Sequence, residues 1–298
     1  MLRRLLLGLG VVVGLFVLWL FAVWPPPSWY RTHWPRRTAF MASRDTPDSL
    51  FRYRPVPLDS MTPALAQAVL IGEDGNFYQH GGIDYLGLAI ALGYKRRTLD
   101  FGDPADRAAF LAVLPHAWSR RDKLRGASTV TQQLAKNLYL SSSRNPLRKV
   151  KEAVIAWRLE WALDKRRIME LYLNVVELGD GTWGVEAASE RYFERSARKL
   201  SREQAAALVA TLPFPRSSNP GYKPGRMRWR QNLILRRMRG EWVEVPQAEP
   251  EAEPAPPPVP ISPDDEAPAA PPPDSEAAEP APAAPAAEAT PVTPGDSS

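Results

Sequence analysis

Glu73 and Asp74 stand side by side in GEDGNFYQHGGID, residues 72–84, with Phe77, His80, Gly82 and Asp84 in the same short run. Adjacent carboxylates among glycines and aromatics admit two readings, a solvated turn or an acid/base pair. An aromatic such as Phe77 can shield a carboxyl from water. Desolvation disfavours the ionised form and makes a Glu a usable base near neutral pH. Glycines permit close approach and unusual backbone angles. His80, taken alone, is more often a hydrogen-bonded core residue than a catalyst.

Two further stretches carry groups suited to chemistry. In GASTVTQQLAKN, residues 126–137, Thr129 and Gln132 have capping-box spacing. Beyond them Val130, Leu134 and Leu138 fall on one helical face. Thr129, Gln132, Gln133 and Lys136 fall on another, with Ser128 just ahead. Hydroxyls, amides and one ammonium suit sugar hydroxyls and phosphate; an ordinary exposed polar helix is the plainer reading. In SSSRNPLRKVKE, residues 141–152, Arg144, Arg148, Lys149 and Lys151 lead up to Glu152. Arg148 and Glu152 are four apart, so an intrahelical ion pair is the plain reading. The other is a cationic wall for a diphosphate, beside a second carboxylate. The chain has no cysteine, which excludes disulfides, Cys-based zinc sites and thiol nucleophiles. Histidine pairs with metal-ligand spacing, a GxSxG elbow and a P-loop are also missing from the sequence.

Helices must position these groups. In TPALAQAVLIG, Pro63 follows Thr62 as expected at a helix start. KVKEAVIAWRLEWAL is amphipathic, with Val150, Val154, Trp157 and Trp161 at helical spacing. Asp164 caps DKRRIMELYLNVVEL, a helix expected to end at Gly179. Ser201 and Gln204 form a capping box ahead of a helix that stops at Pro213. Alternating strand patterns are scarce, so residues 61–240 read as one mainly α domain, long enough for a single core.

The flanks are different in kind. Residues 5–24 are an uncharged run that spans roughly 30 Å as a helix, a bilayer's hydrocarbon thickness. Residues 1–24 therefore read as a short stub and a transmembrane helix. Arg3 and Arg4 place the stub in the cytoplasm, and Trp19, Trp24, Trp29 and Tyr30 read as an interfacial belt. Residues 25–60 form a Pro- and Arg-rich connector, and 241–298 an acidic Ala/Pro/Glu-rich tail whose composition predicts disorder. Residues 1–240 carry all 38 Lys and Arg but only 20 of the 33 Asp and Glu, a net charge of +18. Such a body favours anionic partners.

Five segments in order resemble the peptidoglycan glycosyltransferases of family 51, in their monofunctional, membrane-anchored branch. They are EDGNFYQHGGID, GASTVTQQLAKN, RKVKE, IMELYLNVVELGDGTWGVEAASERYF and AALVATLPFPRSSNP. The resemblance covers most of residues 60–240 and departs from the family in a longer stretch between Asp84 and Gly126. It implies a lysozyme-like α domain with a small membrane-proximal lobe, in the inner membrane with the catalytic domain periplasmic. It implies polymerisation of lipid II into β-1,4-linked glycan strands, with release of undecaprenyl diphosphate. Glu73 resembles the general base and Glu152 the second essential carboxylate. Lys136 and Arg144 match diphosphate contacts, with Arg148 and Lys149 as helpers. Asp74, Ser128, Thr129, Gln132 and Gln133 would shape the groove, and Phe77, His80, Gly82 and Asp84 would support it. The resemblance requires no cofactor and admits one divalent cation, Mg2+ or Mn2+, at Glu152. Lipid II, the growing strand and membrane lipids are the implied partners. Cell-wall or division proteins are admitted, and nucleic acid is not. The rivals are a lysozyme-like lytic transglycosylase and a catalytically dead, membrane-tethered scaffold. The first would need no diphosphate-binding cations.

Overall fold

The computed structural model describes residues 2–117, 119, 128–141 and 146–241. All of them fall within one compact unit, Met1–Pro246. The acidic tail beyond Glu241 therefore lies outside the described residues, as does Arg144.

The described chain is mainly helical. In order come α1 (Leu2–Phe21), α2 (Ala39–Ala42), β1 (Arg52–Tyr53), α3 (Pro63–Gly72), α4 (Tyr85–Ala91) and α5 (Pro104–Val113). There follow α6 (Val130–Tyr139), α7 (Pro146–Ala162), α8 (Lys165–Val175), β2 (Glu177–Gly179), β3 (Thr182–Trp183), α9 (Val185–Phe193), α10 (Arg202–Thr211) and α11 (Gly225–Met238). Local chemistry starts several of them. Thr129 with Gln132, and Ser201 with Gln204, close reciprocal capping boxes on α6 and α10. Asp164 accepts from Arg167 N at the start of α8. Each such cap is worth about 1 kcal/mol. Thr62 occupies the N-cap of α3 without a side-chain bond; its carbonyl accepts from Leu65 N at 3.0 Å, and Pro63 stands at the first helical position, where no N–H partner is needed.

The core forms around α8, whose residues Ile168 through Val175 are all buried. A helix apolar on most sides needs cover on most sides. α6 supplies Val130, Leu134 and Leu138 as its spacing predicts; α7 supplies Ile155, Ala156 and Leu159, and α10 a run of alanines. Those small side chains let α3 and α11 pack closely on α10. Gly72 marks the tightest point: a Cβ there would lie 3.1 Å from Ile234 Cδ1 and 3.3 Å from Val209 Cγ1.

Three features differ from the sequence reading. The helix expected to reach Gly179 ends at Val175 and gives way to β2, which pairs antiparallel with β3 while β1 joins β3 parallel. Gly184, at φ +78°, brings the chain back over the helix end; a Cβ there would sit 2.3 Å from Asn174 O. That return requires the helix to stop. Next, the stripe Val150, Trp157, Trp161 on α7 faces outward, and Trp161 is 87% exposed. α7 carries two apolar stripes, and the inward one holds Ala156, against whose carbonyl Gly82 packs. Finally, the 25–60 stretch contributes Tyr30, Phe40 and Met41 to the core, with Phe40 edge-on to the buried Trp183 at 6.0 Å.

At the N-terminus α1 leans on α7, with Lys151 Nζ 4.5 Å from the Trp19 ring centre. Leu7, Val12 and Leu18 are each more than half exposed. Among the described residues, no helix is long and apolar enough to cross a membrane.

Candidate active site

The loop after α3 is built to hold one carboxylate down and leave the other reachable. Asp74 is buried, and its carboxylate accepts from His80 Nε2 at 3.0 Å and from Val130 N at 2.9 Å. Its second bond satisfies the first N–H of α6, a favourable place for an anion. His80 Nδ1 accepts from Gly82 N at 3.2 Å, so the ring is a donor at Nε2 and an acceptor at Nδ1. Gly82, at φ +95°, sits 3.2 Å (as a Cβ) from Ala156 C and O, a path closed to larger residues. Asp84 caps α4 through Gly87 N at 2.7 Å and accepts from Asn76 Nδ2 at 3.0 Å. Phe77 is fully buried beneath Lys165, whose Nζ lies 4.4 Å from the ring centre.

Glu73 is the reachable member of the pair. Oε2 accepts from Gln133 Nε2 at 2.8 Å, and Oε1 from Arg230 Nη2 at 2.8 Å. Gln133 is itself held by the hydroxyl of the fully buried Tyr172, which donates to its Oε1 at 3.0 Å. The side chain of Glu73 keeps 11% of its surface exposed. A carboxylate has about four lone-pair sites, so two donors on two oxygens leave each oxygen able to accept again.

From Glu73 a connected wall runs to the second carboxylate. Gln133 Nε2 also approaches Ser128 O at 3.4 Å, and Lys149 Nζ donates to Ser128 Oγ at 2.8 Å. Lys149 and Arg148 then both bond the buried Glu152, the latter at 3.0 Å. The ion pair suggested by their spacing thus forms, and Glu152 holds two cations in the wall. Lys136 faces the same group. Its pKa lies below the ordinary lysine value, chiefly through desolvation; Glu152 opposes the shift, and Arg148, Lys149 and Arg44 add to it.

Two of the expected groove residues have other work. The side chains of Thr129 and Gln132 are buried and spent on the capping box, and Thr129 Oγ1 also donates to Gly82 O at 2.6 Å. They fix α6 because the first N–H groups of a helix need acceptors. Asp74 is likewise a tie between loop and helix, too buried to line a groove. At Glu152, where the resemblance admits a divalent cation, one oxygen accepts from Lys149 and the other from Arg148.

Sequence reasoning missed three residues. Arg230 reaches Glu73 from α11, Tyr172 braces Gln133 from α8, and Arg44 lies 4.8 Å from the Phe40 ring centre that also neighbours Lys136. Arg230 and Arg44 have no local signal; Tyr172 lies in the IMELYLN segment, which marks the residue but not its contact.

A reachable carboxylate joined by one wall to a bank of cations is the equipment of a group-transfer enzyme whose donor leaves as an anion. A transglycosylase family model matches residues 105–239. Proteins described as biosynthetic peptidoglycan transglycosylases align over much longer stretches. That of Bordetella pertussis strain Tohama I is 39% identical over 239 residues, 78% of this chain and 89% of the relative. Those of Thiobacillus denitrificans and Azoarcus sp. strain BH72 are each 38% identical, covering 81% and 82% of this chain and 97% and 96% of the relative. The chain belongs to the biosynthetic peptidoglycan transglycosylase family.

Proposed function

We propose that the protein polymerises lipid II into glycan strands with Glu73 as general base. The C4 hydroxyl of the acceptor sugar attacks C1 of the donor while its proton passes to the Glu73 carboxylate. The C1–oxygen bond to the diphosphate breaks with inversion, and the electron pair leaves on the polyprenyl diphosphate. Lys136, Lys149 and Arg148 stabilise that developing charge, and Arg144 joins them by resemblance. Such groups accelerate the reaction because they meet more charge in the transition state than in the ground state. The supporting observation is the unbroken path from Glu73 through Gln133, Ser128 and Lys149 to Glu152.

The setting is the outer face of the inner membrane, with the uncharged run of residues 5–24 as anchor and the N-terminus inside, on the strength of its sequence, since α1 itself falls short of a membrane-crossing helix. The exposed apolar face of α1 and the outward stripe on α7 support this reading. A cavity of about 440 Å³ at their junction is lined by Trp19, Tyr139, Leu140, Leu147, Arg148 and Lys151. Apolar walls with two cations suit the phosphate-proximal end of a lipid carrier.

The test uses the full chain in detergent with labelled lipid II, and in parallel with intact cell-wall sacculi. Lipid II should yield polymer and the sacculi no fragments. Glu73→Gln should abolish polymer without altering the helical circular dichroism. Sacculus cleavage, or near-normal turnover by Glu73→Gln, would overturn the proposal.

A further inference from the structure

Arg230 has no role in the reading above, yet it makes the ion pair nearest the proposed base. It sits on α11, whose approach to α3 depends on Gly72 and on Ile234 packing over it. Nη2 donates to Gly72 O at 2.7 Å and to Glu73 Oε1 at 2.8 Å. One nitrogen therefore grips both the last carbonyl of α3 and the carboxylate that follows it. A cation at a helix C-terminus meets the negative end of its dipole, so the contact is held at two points. Immediately after it, Gln231 Nε2 donates to Glu203 O at 2.8 Å, which ties α11 to the start of α10.

Fold stability alone does not call for this residue. Arg230 Nη1 is buried and has no partner among the described residues, and an unmatched buried donor is unfavourable. A site that tolerates such a group while aiming its neighbour at a reactive carboxylate is organised around the carboxylate.

We infer that Arg230 is a positioning residue for the reaction: it fixes the orientation of Glu73 and holds it as the carboxylate that accepts the proton. With Gln133 on the other oxygen, it pins the carboxylate plane from both sides. The inference rests on Glu73 being the base. Among the described residues, the charged and titratable groups facing Glu73 are Arg230 from α11, Tyr172 from α8 and Asp74 beside it. Burial pushes the Tyr172 hydroxyl well above its ordinary pKa, so it stays neutral. Arg230 is thus the cation whose removal changes the field at Glu73.

The experiment compares Arg230→Met and Arg230→Lys with the unaltered full chain, measuring kcat and KM of lipid II polymerisation together with melting temperature. In Arg230→Met, kcat should fall by about tenfold to a hundredfold, the scale of a misplaced reacting group. KM for lipid II should stay within about twofold, since Arg230 holds the base and not the diphosphate. Arg230→Lys should recover part of kcat at the same KM. Wild-type kcat in Arg230→Met, or an activity loss carried by KM and not by kcat, would overturn the inference. If the Met variant does not fold, Arg230→Lys decides: unchanged kcat would refute the role. Glu73→Gln separates the two layers, since an inactive Glu73→Gln beside a fully active Arg230→Met removes only the positioning role. An active Glu73→Gln removes both.

Discussion

Replacing Gln133 by alanine should damage stability and turnover together, in amounts that the structure sets separately. The amide donates to Glu73 Oε2 at 2.8 Å and accepts from Tyr172 Oη at 3.0 Å. Tyr172 is fully buried, so its hydroxyl loses its acceptor with no water to replace it. An orphaned buried donor costs about 1–3 kcal/mol. For a domain of this size that is a fall in melting temperature of about 2–4 °C per kcal/mol. The lost bond to Glu73 is charge-assisted, worth about 1.5–3 kcal/mol, and if it acts only on the base it lowers kcat by about tenfold to a hundredfold. Adding Tyr172→Phe should restore much of the melting temperature, because both partners of the broken bond are then gone. It should restore none of the turnover. The assay pairs thermal melting in detergent with polymerisation of labelled lipid II. Should Gln133→Ala melt and turn over like the unaltered protein, or should the double variant regain activity, the bracing of Glu73 through Gln133 is wrong.

Lys136 gives a pH test with opposite signs for stability and function. Its folded pKa lies below the ordinary lysine value, so between the two values the unfolded chain binds more protons and stability rises with pH. Diphosphate binding should weaken over the same alkaline range as the ammonium loses its proton, as read by the KM for lipid II; a KM flat up to pH 10.5 would contradict this. Asp74→Ala should cost about 3 kcal/mol, since it leaves His80 and Val130 N without their shared acceptor; denaturant melts measure it. Gly82→Ala should cost about 1–3 kcal/mol, because its positive φ and the backbone of Ala156 both resist a Cβ. Trp161→Ala should leave the unfolding free energy in detergent within about 0.5 kcal/mol of the original and weaken co-flotation with liposomes, as expected of an exposed ring at a membrane surface.

Much of the site was legible because its devices are local. The capping boxes at Thr129 and Ser201, the cap at Asp164 and the Arg148–Glu152 pair are all set by spacing within one turn. The same spacing misled over purpose: Thr129 and Gln132 have the right types for a sugar groove, but the N-terminus of α6 claims them. α7 shows the limit of periodicity, which finds an apolar stripe without saying which of two stripes is covered. Only the path of Gly82 against Ala156 settles that. Arg230 and Arg44 could not be found from pattern, since what makes them important is a tertiary contact; Tyr172 stands in the IMELYLN segment, but only its contact with Gln133 shows what it does. The two- and three-residue strands were too short to show alternation.

The pairing of Glu73 with Arg230 also sets an order of events. The two lie 157 positions apart, and a polypeptide delivered from its N-terminus exposes the acid long before the arginine exists to meet it. Incomplete chains, and molecules clipped ahead of α11, would carry every motif of the cleft and still lack the clasp on its base. Competence would then arrive only with α11, which makes that helix a built-in check that the body carrying the cleft is whole.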